Sequence, residues 1–245
     1  MTKVAMIPAR YAATRFPFKL MQPLGKKTVI RQTYDNTVAT GLFDDVIVIT
    51  DSEIILEEIR EHGGNAVMSK RQHESGSDRI AEAAAEMDVD IILNVQGDEP
   101  FVNKESLRQL LAAFDDEKVM VASVMKRFTD IELVRDPNYV KVVVDKNMNS
   151  LFFSRAVIPF CRDEHFIPTY YEHIGVYAFR KQALLNFTSW PVSDTERAEK
   201  LEQLRYLENG ISLKMVITDQ TGVKIDMPGD LARAEDFLKT LSAGN

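Results

Sequence analysis

The stretch VIVITDSEIILEEIREHGG, Val46–Gly64, decides the fold. Val46–Thr50 is a β-branched run, which favours a strand. Ser52 stands at a cap position before Glu53–His62, and Gly63-Gly64 stops that helix. A strand that feeds straight into a capped helix is the repeating unit of a parallel α/β sheet. The same rhythm continues on both sides. Upstream, Val4–Pro8 reads as a buried strand and Thr28–Thr40 as a helix, with Gly41 just past its end. Downstream come a weak strand at Ala66–Met68, a helix at Ser77–Met87 and a strand at Ile91–Val95. A capped helix at Asn103–Phe114 and a strand at Val119–Val124 complete this half. The expected class is α/β, with a mostly parallel, doubly wound sheet.

After Asp136 the rhythm changes. Val140–Asp145 and Leu151–Arg155 flank KNMN, which reads as a hairpin. A strand at His173–Phe179, helices at Lys181–Phe187 and Thr195–Glu208, a strand at Leu213–Thr218 and a helix at Pro228–Leu241 follow. The division expected is an α/β half, 1–135, and an α+β half, 136–245, on one core. There is no 20–50 residue repeat and no Gly/Ser-rich or Pro-rich linker.

Composition narrows the function classes. The chain has 245 residues, enough to bury a large core without disulfide staples. Thirty Lys and Arg stand against 37 Asp and Glu, a net charge of −7. That balance argues against nucleic acid or a membrane surface as partner. The single cysteine, Cys161, suits a reducing compartment, and no apolar run reaches the ~18 residues of a membrane span. The opening MTKVAMIPAR is too short in apolar residues for a secretory core, so the expected address is the cytoplasm.

In open α/β sheets ligands bind beyond the carboxyl ends of the strands. After the first strand lie three cations, Arg10, Arg15 and Lys19, in ten residues. They read as a triphosphate clamp or as solvated charge; their place at the sheet edge favours the clamp. Neither GxGxxG nor a P-loop occurs, so dehydrogenase and P-loop NTPase readings lose support. Asp98 and Glu99 follow the strand Ile91–Val95 in NVQGDEP, where a hard cation could find carboxylates, or where Pro100 merely closes a polar turn. Asp226 precedes Pro228 and reads either as a second metal carboxylate or, by default, as a helix N-cap. Ser75 and Ser77 read as caps of the next helix, or as a turn holding a base edge. Arg155, Arg162, His173, Tyr177, Glu202 and Gln203 are scattered over the second half. Each alone reads as structural, although His173 and Tyr177 share one strand face and Glu202 and Gln203 sit mid-helix.

Taken in order, IPARYAATRFP (7–17), HESGSDRIAEA (73–83), NVQGDEP (94–100), PNYVKVVVD (137–145), LFFSRAVIPF (151–160), HIGVYAF (173–179), LEQLR (201–205) and DMPGDL (226–231) resemble one family. It is CMP-Kdo synthetase, the 3-deoxy-manno-octulosonate cytidylyltransferases. CMP-sialic acid synthetases share the IPAR opening but lack NVQGDEP.

The resemblance implies a Rossmann-like nucleotidyltransferase fold. It implies a Mg²⁺-dependent transfer in which the anomeric hydroxyl of a 2-keto-3-deoxy sugar acid attacks CTP, giving CMP-sugar and pyrophosphate for lipopolysaccharide synthesis. Carried over by position, Ala9, Arg10, Arg15 and Lys19 would hold the CTP phosphates, and Ser75, Ser77 and Arg79 the cytidine part. Asp98 and Asp226 would be metal carboxylates. Gln96, Arg155, Arg162, His173, Tyr177, Glu202 and Gln203 match the sugar side, Arg162 facing the sugar carboxylate. The resemblance also implies a homodimer built largely from the second half.

Four positions depart from the family pattern. Phe18 stands where the family has glycine, Leu20 where it has proline, and Lys224-Ile225 where it has Gly-Val. Acids at Asp163, Glu164 and Glu172 suggest an ammonium-bearing substrate, 8-amino-Kdo, beside Kdo itself. The rival readings are a nucleotide-sugar-dependent glycosyltransferase and a catalytically silent CTP-binding regulator.

Overall fold

The computed structural model describes residues 1–12, 16–73, 75–163, 165–219 and 222–243. The chain divides into two compact units, Met1–Lys104 with Thr221–Asn245, and Glu105–Gln220.

The first unit alternates strand and helix as the sequence leads one to expect. Its elements are β1 (Lys3–Ala9), β2 (Pro23–Leu24), β3 (Lys27–Thr28), α1 (Val29–Ala39), β4 (Asp45–Thr50), α2 (Glu53–Glu61), β5 (Ala66–Met68), α3 (Gly76–Ala85) and β6 (Ile91–Asn94). The strands run in the order β6-β1-β4-β5, every pair parallel. Val4–Ile7, Val46–Ile49 and Ile91–Leu93 are buried, which explains why these runs carry no polar alternation. Thr28 caps α1 by accepting the Arg31 N–H, and Ser75 caps α3 by accepting the Asp78 N–H. Ser52 holds the cap position of α2, but its hydroxyl accepts no helix N–H. Instead its own N–H donates to Thr50 Oγ1 at 3.2 Å.

The second unit holds α4 (from Lys104 to Ala112), β7 (Val121–Arg127), α5 (Ile131–Arg135), β8 (Lys141–Val144), β9 (Ser150–Ser154), β10 (Tyr171–Arg180), α6 (Lys181–Ser189), α7 (Asp194–Glu199), α8 (Leu204–Glu208) and β11 (Leu213–Ile217). Here the sheet is mixed: β7 pairs in parallel with β11 and antiparallel with β10. The expected hairpin forms between β8 and β9.

One expected element is corrected. Thr195–Glu208 is not one helix but two, α7 and α8, broken where Lys200 takes a left-handed conformation at φ 55°. Ser193 and Glu196 close a capping box at the start of α7. Glu196 also takes Arg205 bidentately, with Nε to Oε2 at 2.7 Å and Nη2 to Oε1 at 2.6 Å, so α8 folds back on α7. A single continuous helix could not bring those two side chains together in that way.

The closing helix α9 (Pro228–Ala243) belongs to the first unit, so the segment before it carries Asp226 back there. Among the described residues no helix is long and apolar enough to cross a membrane.

Candidate active site

A cleft of about 300 Å³ opens in the first unit beyond the carboxyl ends of β1 and β6. Pro8, Arg10, Lys19, Gln96, Asp98 and Asp226 are among its walls. It lies where a parallel sheet is expected to bind its ligand.

The NVQGDEP turn is held from below by α1. Thr33 Oγ1 donates to Gly97 O at 2.9 Å, and Asn36 Nδ2 donates to Pro100 O at 2.6 Å. Gly97 is needed there for space. A Cβ on it would stand 3.2 Å from both Ile30 Cδ1 and Pro8 O. The turn is tied to the distant end of the chain, for the Ile225 N–H donates to Asp98 O at 2.9 Å. That bond sets Asp226 beside Asp98.

Lys19 completes the cluster. Its Nζ lies 2.6 Å from Asp98 Oδ2 and 3.1 Å from Asp226 Oδ1. The Asp226 carboxylate lines the cleft beside Asp98. The N–H groups of Asp226 and Met227 are taken by Asp230 Oδ2, at 2.9 and 2.8 Å. Asp98 Oδ1 is buried and accepts no hydrogen bond among the described residues. Two converging carboxylates, one with an orphaned oxygen, suit a hard divalent cation completed by oxygens of a bound phosphate. Among the described residues there is no group of three or more His, Cys, Asp or Glu that could hold a metal ion.

Lys224, beside Asp226 in sequence, stands 3.9 Å from Glu99. Burial pushes the Glu99 carboxyl up to about 7; Lys224 opposes the rise and Asp98 adds to it.

The other expected nucleotide residues distribute as follows. Ala9 is buried at the end of β1, and Arg10 is exposed at the cleft wall. Ser75 is taken up by capping α3 and donates to Asp78 Oδ2 at 2.8 Å, while Ser77 follows it in the first turn. Arg79 is buried in the wall of the cleft, with Nη2 2.6 Å from Asp51 Oδ2 and Nη1 3.0 Å from Ser69 Oγ. Arg15 lies outside the described residues. Phe18 takes the left-handed conformation, φ 58° and ψ 23°, that a glycine would adopt without cost. Its ring packs on Tyr11 with centroids 4.6 Å apart.

In the second unit the sequence candidates fall into two groups. His173, Tyr177 and Gln203 meet in one network. Tyr177 Oη donates to Gln203 Oε1 at 3.2 Å, and Gln203 Nε2 donates to His173 Nδ1 at 3.3 Å. His173 Nε2 then faces Ser123 Oγ at 2.9 Å. With Nδ1 accepting, the assigned tautomer is neutral with hydrogen on Nε2. Burial depresses this imidazole to about 3 and raises the Tyr177 phenol. Glu202 and Gln203 are not mid-helix: they occupy the turn between α7 and α8, and the break at Lys200 allows Gln203 to turn toward His173.

The arginines stand apart. Arg155 is fastened to backbone, Nε to Glu199 O at 2.7 Å and Nη1 to Pro137 O at 2.9 Å. Arg162 is exposed on the segment between β9 and β10. Of the acids expected to greet an ammonium, Glu172 is paired with Lys126 at 3.0 Å, Asp163 is exposed, and Glu164 lies outside the described residues.

Sequence reasoning passed over Asp51 and Ser69, which hold Arg79. A signal for both was present, since each directly follows a strand, β4 and β5.

The chain resembles known proteins over most of its length. The cytidylyltransferase family model matches residues 4–217. The chain is 55% identical to a 3-deoxy-manno-octulosonate cytidylyltransferase of Flavobacterium johnsoniae, over 97% of this chain and 99% of that one. It is 44% identical to the enzyme of that name from Bacteroides thetaiotaomicron, over 98% of this chain and 99% of that one. A solved structure of CMP:2-keto-3-deoxy-manno-octonic acid synthetase complexed with CTP superposes with a TM-score of 0.94 at 33% identity, covering 98% of this chain and 99% of that one. A 4-diphosphocytidyl-2C-methyl-D-erythritol synthase from Anaerococcus prevotii shares the fold, with a TM-score of 0.64 at 17% identity, over 97% of this chain and 98% of that one.

Proposed function

Because the chain belongs to the cytidylyltransferase family, in its 3-deoxy-manno-octulosonate branch, we propose that it activates Kdo with CTP and releases pyrophosphate. The observation that carries this reading is the convergence of Lys19, Asp98 and Asp226 in one cleft at the end of a parallel sheet. A divalent ion is proposed as cofactor, Mg²⁺ by its hard-oxygen preference, held by Asp98 and Asp226. When bound, such an ion neutralises phosphate charge and stabilises the leaving pyrophosphate.

The chain's own residues do the rest. Arg10 and Lys19 bind the triphosphate; Arg15 joins them by position in the motif. Lys19 then moves its charge from the two carboxylates to the phosphate oxygens. Arg79, which lines the cleft, contacts the nucleoside, with Ser75 and Ser77 at the start of α3 beside it. Gln96, His173, Tyr177, Glu202 and Gln203 orient the sugar acid, and Arg162, exposed, meets its carboxylate with a planar two-donor fork. Arg155, fastened to the Glu199 and Pro137 carbonyls, stands on the sugar side with them by its place in the motif. His173 acts through its neighbours, since Gln203 and Ser123 take both of its ring nitrogens.

Kdo is preferred over 8-amino-Kdo because Glu172 already has a cationic partner in Lys126. The apolar side chains Leu151, Val157, Phe160, Phe166 and Ile167 are exposed in the second unit, which supports their burial against a second copy. A cytoplasmic site of action, supplying lipopolysaccharide synthesis, suits the single cysteine.

The test is pyrophosphate release from CTP and Mg²⁺ with Kdo and 8-amino-Kdo in parallel. Release with Kdo at the higher kcat/KM is expected. A higher value with the amino sugar would reverse the substrate choice. Bound CTP with no turnover on either sugar would favour the silent regulator. Transfer from CMP-sugar without pyrophosphate chemistry would favour the glycosyltransferase.

A further inference from the structure

We propose that Asp51 is a positioning residue for nucleotide binding, fixing the Arg79 guanidinium in the wall of the cleft. The inference rests on the reading above that Arg79 faces the nucleotide, and it adds a residue and a mechanism to it.

Arg79 leaves the first turn of α3 and its side chain is 1% exposed. A buried guanidinium without a counter-charge is costly, so something must hold it there. Asp51 supplies the charge, 2.6 Å from Nη2. Ser69 supplies a second support with a fixed direction. The Ser69 hydroxyl donates to Thr50 O at 3.1 Å, so its oxygen is left to accept from Arg79 Nη1 at 3.0 Å. The Ser69 N–H also donates to Thr50 O, at 2.8 Å, and locks that residue to the end of β4. Asp51 and Ser69 thus take one donor each from two arms of a planar fork that has five. Two anchors on one rigid plane define its orientation. The anchors come from the residues just after β4 and β5, the sheet edge itself, and not from a free loop tip. Released from Asp51, the arginine regains its rotamers and swings toward water. The cleft wall then loses a fixed donor before any ligand arrives.

The experiment measures CTP binding by calorimetry, without sugar, on the full chain and on Asp51→Ala, Asp51→Asn, Arg79→Ala and the double variant Asp51→Ala/Arg79→Ala. Loss of a charge-assisted contact is expected to weaken CTP roughly tenfold in Asp51→Ala and in Arg79→Ala. The double variant should be within about twofold of Arg79→Ala, since the two residues act through one group. Asp51→Asn keeps an acceptor of the same shape and should be intermediate; it also carries the comparison if the alanine variant fails to fold. The KM for the sugar acid should move less than about twofold.

CTP affinity unchanged in both Asp51 variants, with Arg79→Ala weakened, overturns the inference and leaves the nucleotide role of Arg79 intact. Unchanged affinity in Arg79→Ala removes that role and the inference with it. An equal further loss on adding Asp51→Ala to Arg79→Ala means Asp51 acts elsewhere. A parallel loss of sugar KM, kcat and melting temperature means its role is only structural. Each of these last two results also overturns the inference.

Discussion

The ammonium of Lys19 lies 2.6 Å from the carboxylate of Asp98, and both side chains are largely buried, 14% and 13% exposed. Asp226 approaches the same ammonium from the other side at 3.1 Å. One cation therefore neutralises two acids that would otherwise repel each other. Asp98 and Asp226 are the residues that would hold a divalent ion, and Lys19 the residue that would then be released to a phosphate oxygen.

Lys19→Met is accordingly expected to act in two opposite directions. The kcat/KM for CTP should fall by about ten- to a hundredfold, the cost of one charge-assisted hydrogen bond. Binding of Mn²⁺ to nucleotide-free protein, followed by electron paramagnetic resonance, should become tighter, because the competing ammonium is gone. Equal Mn²⁺ affinity in the two proteins would remove the competition from the account.

Asp98→Asn and Asp226→Asn each test the carboxylate pair. Both keep side-chain volume and remove one charge, so metal-dependent turnover should drop by at least about two decades while the fold survives. Asp98→Asn should have the larger effect, since Asp98 Oδ1 is the buried oxygen without a hydrogen bond. Near-normal pyrophosphate release in either variant, with unchanged metal dependence, sinks the assignment for that residue.

Phe18 offers a test of backbone strain. Its left-handed conformation costs roughly 1 kcal/mol relative to glycine, while the ring contact with Tyr11 returns about 0.5–1.5 kcal/mol. Phe18→Gly should therefore be near neutral in melting temperature. Phe18→Ala keeps the strain, loses the ring and should be destabilised by about 1 kcal/mol. If alanine proves at least as stable as glycine here, the strain argument fails.

His173 predicts a pH dependence of stability. Its folded value is depressed to about 3 by burial, against an unfolded value of 6.5. The groups that meet it are Ser123, Gln203 and the rings of Phe153 and Tyr177, all neutral. Below pH 6.5 the unfolded chain binds a proton that the folded chain refuses. The stability present above 6.5 is thus lost as pH falls toward 3, at up to about 1.4 kcal/mol per pH unit. Denaturation midpoints of wild type and His173→Gln across pH 7.5 to about 4 should converge at the acid end. Parallel curves would show that the imidazole does not titrate with folding.

Part of this site could be read in one dimension because Arg10, Gln96 and Asp98 lie within a few residues of a strand's end. The alternation around Val46–Gly64 led to the parallel sheet, and the sheet led to Lys19 and Asp98, since ligands gather at strand ends. The second half was harder to read. The single helix expected at Thr195–Glu208 splits at Lys200, a residue whose type does not signal a left-handed turn. The break is upheld by the Glu196–Arg205 pair, a contact that exists only once the chain has folded back. The sequence read alone also favoured Asp226 as a cap.

From the sequence by itself came the class of fold, the order of its first strands and helices, and the family, because these depend on local periodicity and on residues adjacent in the chain. Tertiary structure alone decided which charges face each other. The Ile225 N–H on the Asp98 carbonyl brings together carboxylates 226 − 98 = 128 positions apart. The Asp51 carboxylate finds Arg79 through the packing of α3 against the end of β4. Pairings of this kind are governed by distance and burial, and no spacing along the chain encodes either.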